Sequence, residues 1–545
     1  MKHKLLLGFM WLIIFNQPTF SQIGRKYEPI IIKGEVLSAF FGKEINKLYL
    51  FSYQAANQSW TMIPFQFDEV NTQVDDSIKY FAPDDGLLDE NDELVFMAAD
   101  LGDKAENDCW QESTDTLRLA LSLLDSLDNR WRYVYLYHSE FIGTSVPDCY
   151  QLQYHADNDR ISSAFYEVGF NETGLLGEVA LSPEIGASGL NIFDRTKIRF
   201  YLSFLWIPLS VNEDSLSFVS AHAKVGPVRI IRNMTARFQY RIGVFPVEET
   251  FTQTSFFYPW HGMFELMEIP IGDLTQYGVQ IDEFRTSWDF NSAATGMKFY
   301  SEYNQSPVSI DGASDVASRT ILPDDLNWSM GTGTAGTLLN IFYTPPLGDS
   351  IRLYFHQSTT GSAGDNSLFA HDTGDGKSYG DNGFSLIGNI ENYITDETRF
   401  NFRYYNFFLP PFFDPDSASR LTQQIKFPLT VFATTEKKTS PAKVVHSGTF
   451  SPPNDFYLLQ NFPNPFNAQT SISFVLTKQE MVSLEIFNAT GSLIKSLLNT
   501  QLAPGTYRVR WNGENEHGEA AASGIYFYRL TTESNAKTRK LILVQ

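Results

Sequence analysis

What the chain is short of narrows it first. It has two cysteines, Cys109 and Cys149, nine scattered histidines, and 41 Lys/Arg against 63 Asp/Glu, a formal net charge of −22 over 545 residues. So few basic side chains argue against nucleic-acid or anionic-membrane binding, since phosphate contacts need a clustered basic surface. Neither Gly-x-Ser-x-Gly nor His-Glu-x-x-His is present, so two common hydrolase signatures are missing. Beyond the N-terminus no apolar run approaches the roughly 20 residues of a membrane span. The longest, Phe200 to Val211, reads as strand.

The N-terminus has the layout of a cleavable signal peptide at 1–21. Lys2 and Lys4 precede the apolar stretch Leu5 to Phe15, and Thr19 and Ser21 are small residues placed for cleavage before Gln22. The stretch is too short for an anchor, and no cysteine follows it to carry a lipid. In an exported chain Cys109 and Cys149 are expected to form a disulfide, with two buried thiols as the alternative.

The chain is rich in rings, with 45 Phe and 26 Tyr, a composition that leans towards β-sheet. Ile30 to Lys33, Lys47 to Tyr53, Trp60 to Phe67 and Leu94 to Met97 read as strands. Thr116 to Leu124 fits strand or short helix. Trp131 to His138 alternates cleanly, with Trp131, Tyr133, Tyr135 and Tyr137 on one side. Further strands are expected at Lys197 to Pro208, Ser215 to Ala223, Thr235 to Phe245, Leu338 to Tyr343, Ile351 to His356, Arg399 to Phe408 and Gln424 to Ala433. No long stretch carries apolar residues at helical spacing. The expected fold class is all-β: an N-terminal β-module at 22–156, a large sandwich at 157–433, a Lys/Thr/Ser/Pro linker at 434–456, and a small immunoglobulin-like sandwich at 457–545.

Two polar loops are candidate Ca²⁺ sites. Asp85, Asp89, Asn91 and Asp92 lie in a Gly-turned acidic stretch that can supply the oxygens a hard cation takes. The bland reading is a solvated turn whose carboxylates cap local backbone donors. Asp372, Asp375 and Asp381 belong to the loop His371 to Gly383, for which a structural Gly/Asp turn is the alternative. Gly376-Lys377-Ser378 imitates a phosphate loop but lacks its glycine and its strand-loop-helix setting. His261, beside Trp260, is the histidine whose ring-rich surroundings invite sugar stacking; packed structure is its bland reading. The strand Ile63-Pro-Phe-Gln-Phe-Asp68 and the run Asp92-Glu-Leu-Val-Phe96 resemble the first β-module of some secreted polysaccharide-processing proteins, with a longer gap between Gly86 and Asp92 than in that pattern.

The tail differs in charge. From Tyr457 to Gln545 there are 8 Lys/Arg and 6 Asp/Glu, which leaves about −24 on everything before it. Its motifs are Gln460-Asn-Phe-Pro-Asn-Pro-Phe-Asn467 (Asn461, Pro463, Asn464, Pro465, Phe466), Gly491 in a turn, Gly505-Thr-Tyr507 with Trp511-Asn-Gly513, Ser523-Gly-Ile-Tyr-Phe-Tyr528 (Gly524, Tyr526), and Lys540-Leu-Ile-Leu-Val544. This set resembles the type A C-terminal sorting domain of type IX secretion substrates of Bacteroidetes. Ala468 stands where a proline is usual and Phe462 where a Tyr is common. The resemblance implies passage through the periplasm, type IX secretion machinery as partner, and an extracellular or cell-surface destination. The alternative is an accessory immunoglobulin-like module similar to that of flagellar hook-capping proteins.

For residues 22–433 the preferred reading is a non-catalytic module that binds glycan, envelope polysaccharide or protein. An extracellular polysaccharide hydrolase or lyase is the alternative, and a structural matrix protein the third. Carboxylate pairs for glycosidase chemistry cannot be picked out by spacing in sequence alone.

Overall fold

The computed structural model describes residues 24–438 and 456–543, apart from 75–77, 84, 113, 143–144, 205–206, 243–244, 268–278, 314, 322–324, 345–349, 361–372, 389, 391–401, 459–460, 462–463, 465, 468, 477, 504 and 534. The leader and most of the linker therefore lie outside the described residues. Two compact units are present, Met1–Ser122 with Arg132–Lys438, and Leu123–Trp131 with Thr439–Gln545. The chain is nearly all β and its C-terminal domain is immunoglobulin-like. Among the described residues no helix is long and apolar enough to cross a membrane.

In the first unit a six-stranded sheet faces a nine-stranded one. The smaller runs Ile207–Asn212, Phe193–Phe204, Val279–Phe290, Ser378–Ile387, Ser350–Ser358, Asp315–Ile321 in spatial order. Alternate side chains point inward, as the pleat requires. Trp288 and Phe384 pack on Phe342 at 5.3 and 5.1 Å between ring centroids, and Phe355 packs on Phe299 at 4.3 Å. The far face of the nine-stranded sheet buries Trp328, Met330, Leu339 and Ile341 with Ala418 and Leu421 of the helix Pro415–Lys426.

That helix stands where Pro410, Pro411 and Pro415 read in the sequence as a closing loop, and it overlaps the start of the expected strand Gln424 to Ala433. Asp414 caps it by accepting from Ser417 N at 2.9 Å, and Pro415 takes the first turn, where a missing N–H costs nothing. The final strand is Thr430–Lys437, four residues into the expected linker, and it pairs in a five-stranded sheet in the order Thr430–Lys437, Leu117–Asp125, Arg130–His138, Leu48–Gln54, Ser59–Met62. Trp60 to Phe67, one run in the sequence, breaks at Ile63-Pro64: Ser59–Met62 joins this sheet and Phe65–Asp68 another, since proline cannot continue a ladder. Fully buried Arg118 ties the sheet together. Its Nε donates to Glu436 at 2.6 Å, its Nη1 to the Cys109 carbonyl at 2.6 Å, and its guanidinium lies 4.3 Å from the Trp110 ring.

The C-terminal domain has seven described strands in two sheets, one of three and one of four. Phe466, Ile472, Phe474, Leu484, Ile486, Trp511, Tyr528 and Leu541 fill the space between them.

Candidate functional site

The chemistry-bearing side chains of the first unit gather in two buried ionic clusters. In the first, Gln66 and Asp68 on Phe65–Asp68 and Glu93 on Glu93–Met97 surround Arg229. Its Nε donates to Asp68 at 2.6 Å and its Nη2 to Glu93 at 2.5 Å, while Gln66 Oε1 accepts from the backbone N–H of Val228 and Arg229 at 3.1 and 2.8 Å. Lys33 pairs with Glu93 as well. Burial alone would raise the Glu93 pKa, but Arg229 and Lys33 hold it below the usual carboxylate range. A Cβ on Gly226 would meet Gln66 Oε1 at 2.2 Å, so a side chain there would push the Gln66 amide off the Val228 and Arg229 N–H groups. The Gln-x-Asp and Asp-Glu-Leu elements read in the sequence are thus the acceptors of an internal clamp.

The second cluster occupies the face of the six-stranded sheet opposite its apolar side. Lys197, Arg199, Arg285, Asp289, Asp381 and Glu283 are all buried there. Lys197 Nζ lies 2.5 Å from Asp289 Oδ2 and 4.0 Å from Asp381 Oδ2, and Arg199 lies 3.7 Å from Asp381. Arg285 donates to Glu283 at 2.8 Å and to Ser385 at 3.1 Å. Burial would raise Asp381, yet Lys197 and Arg199 bring its pKa below the ordinary value. A carboxylate held ionised by cations has no proton of its own to give as a general acid, although it can carry one handed to it. At the edge of this face Asp194 behaves oppositely: burial, then neighbouring Asp375, lift its carboxyl to about 6. Gly374 lets the 373–377 turn sit on it, since a Cβ there would meet Asp194 Oδ2 at 1.9 Å.

The expected Ca²⁺ ligands do not converge, and among the described residues no group of three or more His, Cys, Asp or Glu could hold a metal. Asp85 accepts from Leu87 N at 2.8 Å, Asp89 from Asn91 N at 2.7 Å, and Asp92 from Asp89 N at 2.9 Å, so the carboxylates cap their own turn. Asp372 lies outside the described residues. Asp375 accepts from Lys377 N at 2.8 Å, while Asp381 faces two cations that would repel a metal ion. The expected disulfide is also corrected: Cys109 and Cys149 are free. Arg118 anchors the Cys109 turn, with the thiol against Tyr53, whereas exposed Cys149 sits by Tyr150, whose hydroxyl is fixed to Asp100 at 2.7 Å. His261 is buried between Tyr258 and Phe407, and burial brings its pKa down to about 3, so it is neutral packing. Trp260 is stacked on Phe165 at 3.7 Å and offers no open ring.

Lys197, Arg199, Arg229 and Asp289 escape sequence reading, because a charge in a strand normally marks the wet face. The available signal was a charge enclosed by apolar neighbours on both sides, as in Trp288-Asp289-Phe290 and Val228-Arg229-Ile230.

In the C-terminal domain most of the described motif residues do a structural job. Asn461 donates to Thr470 at 2.9 Å, Asn464 Oδ1 accepts from Ile542 N at 2.8 Å, and Phe466 packs on Trp511 at 5.6 Å. Gly491 and Gly524 hold positive φ, Gly505 opens a strand, Tyr526 donates to the Ala522 carbonyl at 2.6 Å, and Lys540 lies exposed on the last strand. Pro463 and Pro465 lie outside the described residues.

The family whose model matches is the FlgD Ig-like domain, at residues 463–536. That match overturns the sorting-domain assignment. The physical reason is that the resembling residues are those that close an immunoglobulin-like sandwich, so they report fold and not destination. No curated protein matches the chain. Among solved structures, a glycosyl hydrolase family 38 protein from Enterococcus faecalis aligns over 89% of this chain and 56% of its own at 9% identity and TM-score 0.35. An α-mannosidase from Enterococcus faecalis V583 aligns over 89% and 53% at 9% identity and TM-score 0.33. PorZ, a surface component of the type-IX secretion system of Porphyromonas gingivalis, aligns over 75% and 49% at 11% identity and TM-score 0.13. The chain spans little more than half the length of the first two, and likenesses this loose carry no weight for fold or function.

Proposed function

We propose that the protein is exported by its N-terminal leader and that its body is a non-catalytic binding scaffold for glycan, envelope material or another protein, carrying an accessory immunoglobulin-like domain. The observation that carries the reading is the pairing of acids with cations in the two buried clusters. Asp68, Glu93, Asp289 and Asp381 each face Lys or Arg of another segment inside the protein, so they hold strands together, and Glu283 is taken up by Arg285 on its own strand. The test incubates the full chain with polysaccharides and with envelope fractions, reading both retention and released ends. Retention without reducing sugars or unsaturated ends is expected; release of either overturns the reading. Fractionation of cells should find a mature chain beginning near Gln22 outside the inner membrane, and an uncleaved cytoplasmic chain would sink the export half.

One observation favours a second reading. Asp194, lifted to about 6 by burial and then by Asp375, can hold a proton near neutral pH, as a general acid must. Polysaccharide cleavage abolished by Asp194→Asn would establish it.

A further inference from the structure

Among the described residues Lys197 is the one buried lysine; the other buried cations at carboxylates are arginines. It sits on Phe193–Phe204 opposite Ser287, with Asp289 two residues along on the same face of the neighbouring strand. The register Trp288↔Asn382 then sets Asp381 beside Asp289 from the other side. Two carboxylates directly across a ladder repel, and here a primary amine stands against both, at 2.5 and 4.0 Å. Lys197 and Asp289 are fully shielded from water, where the cost of desolvating two charges can exceed their attraction.

We infer that Lys197 and Asp289 condense into an intramolecular amide crosslink, with Asp381 as the proton carrier. The Lys197 Nζ–Asp289 Cγ bond forms and the Asp289 Cγ–Oδ2 bond breaks. Asp381, which Lys197 and Arg199 hold as a carboxylate, takes the first proton from the ammonium and passes it to the departing oxygen. A second ammonium proton leaves with that oxygen, so one water is released and Asp381 ends as it began. An ammonium and a carboxylate thus become an amide and water, with no oxidant, metal or cofactor consumed. The bond joins two adjacent strands of the six-stranded sheet and closes the chain between them, in a protein whose two cysteines are free.

The test is the intact mass of the purified mature chain, with its N-terminus determined independently, followed by peptide mapping. The wild type should weigh about 18 Da less than its sequence, the mass of one water, and its digest should give a branched peptide joining Lys197 to Asp289. Lys197→Arg, which keeps the charge, and Asp381→Asn, which keeps the shape, should both return to full mass with linear peptides. A folded wild-type chain at full mass with both linear peptides recovered overturns the bond. An Asp381→Asn chain that still loses water overturns the part given to Asp381.

Discussion

The two units close their sandwiches by different means. The C-terminal domain is held by an apolar core of Ile, Leu, Phe, Tyr and Trp, and its only described buried ionisable group beyond Tyr528 and Tyr526 is Glu480, paired with Lys478. The residues 24–438 share such a core between two large sheets but add buried Arg118, Arg229, Arg232, Lys197, Arg199 and Arg285 with their acids. An apolar core is tolerant of exchange so long as volume is kept. A buried ionic clamp is not, because removing one member strands the others without water. The large unit should therefore be the more sensitive to single charge changes and to pH, and the small one to lost volume.

The sharpest way to break that contrast is Arg229→Met, which removes the one buried cation shared by Asp68 and Glu93 and leaves them only the more exposed Lys224 and Lys33. It should cost the large unit about 3–5 kcal/mol. Hydrogen exchange should show lost protection at 65–68 and 93–97 while 470–476 keeps its own. In the small unit Leu484→Ala should cost about 2–4 kcal/mol in denaturant unfolding, with no change in its pH dependence. Acid supplies the next test. Glu93 has a lowered folded pKa, so the stability it contributes is present above the ordinary carboxylate range and is lost as pH falls through and below it. Stability curves from pH 7 to pH 3 should fall more steeply for the large unit; equal slopes would remove the contrast.

Asp194 runs the other way. Its pKa is raised from 3.8 to about 6, so the folded state retains a proton the unfolded chain has lost, and stability falls as pH rises through that window. Asp194→Asn should therefore stabilise at pH 7–8 by about 1–2 kcal/mol and be nearly neutral below pH 4, as calorimetry would report. The smallest effect is at Phe412, an exposed aromatic with φ +59 in the turn before the helix. Phe412→Asn should raise stability by about 0.5–1 kcal/mol, because Asn adopts that region at less cost.

Much of the fold was legible because it rests on alternation. Trp131 to His138 and Val482 to Ile486 announce two-faced strands, and the small domain's turn glycines mark its hairpins. The helix Pro415–Lys426 was missed although Asp414-Pro415 is a start signal, since the preceding prolines made the whole stretch look like loop. The ionic clusters were invisible for another reason. Lys197 meets Asp289 and Arg229 meets Asp68 only through pairings between segments 92 and 161 residues apart, and nothing local records such a pairing. The tail misled in the opposite direction, since Asn461, Phe466, Gly491 and Trp511 were legible but serve the sandwich itself.

The strand Thr430–Lys437 sets a clock on the whole body. Its Glu436 must reach Arg118, 318 residues earlier, before the five-stranded sheet gains that strand. Until that strand arrives, a row of backbone donors and acceptors along Leu117–Asp125 and the aromatic face around Arg118 stand open. That edge is therefore the last part of the body to close, wherever the chain folds.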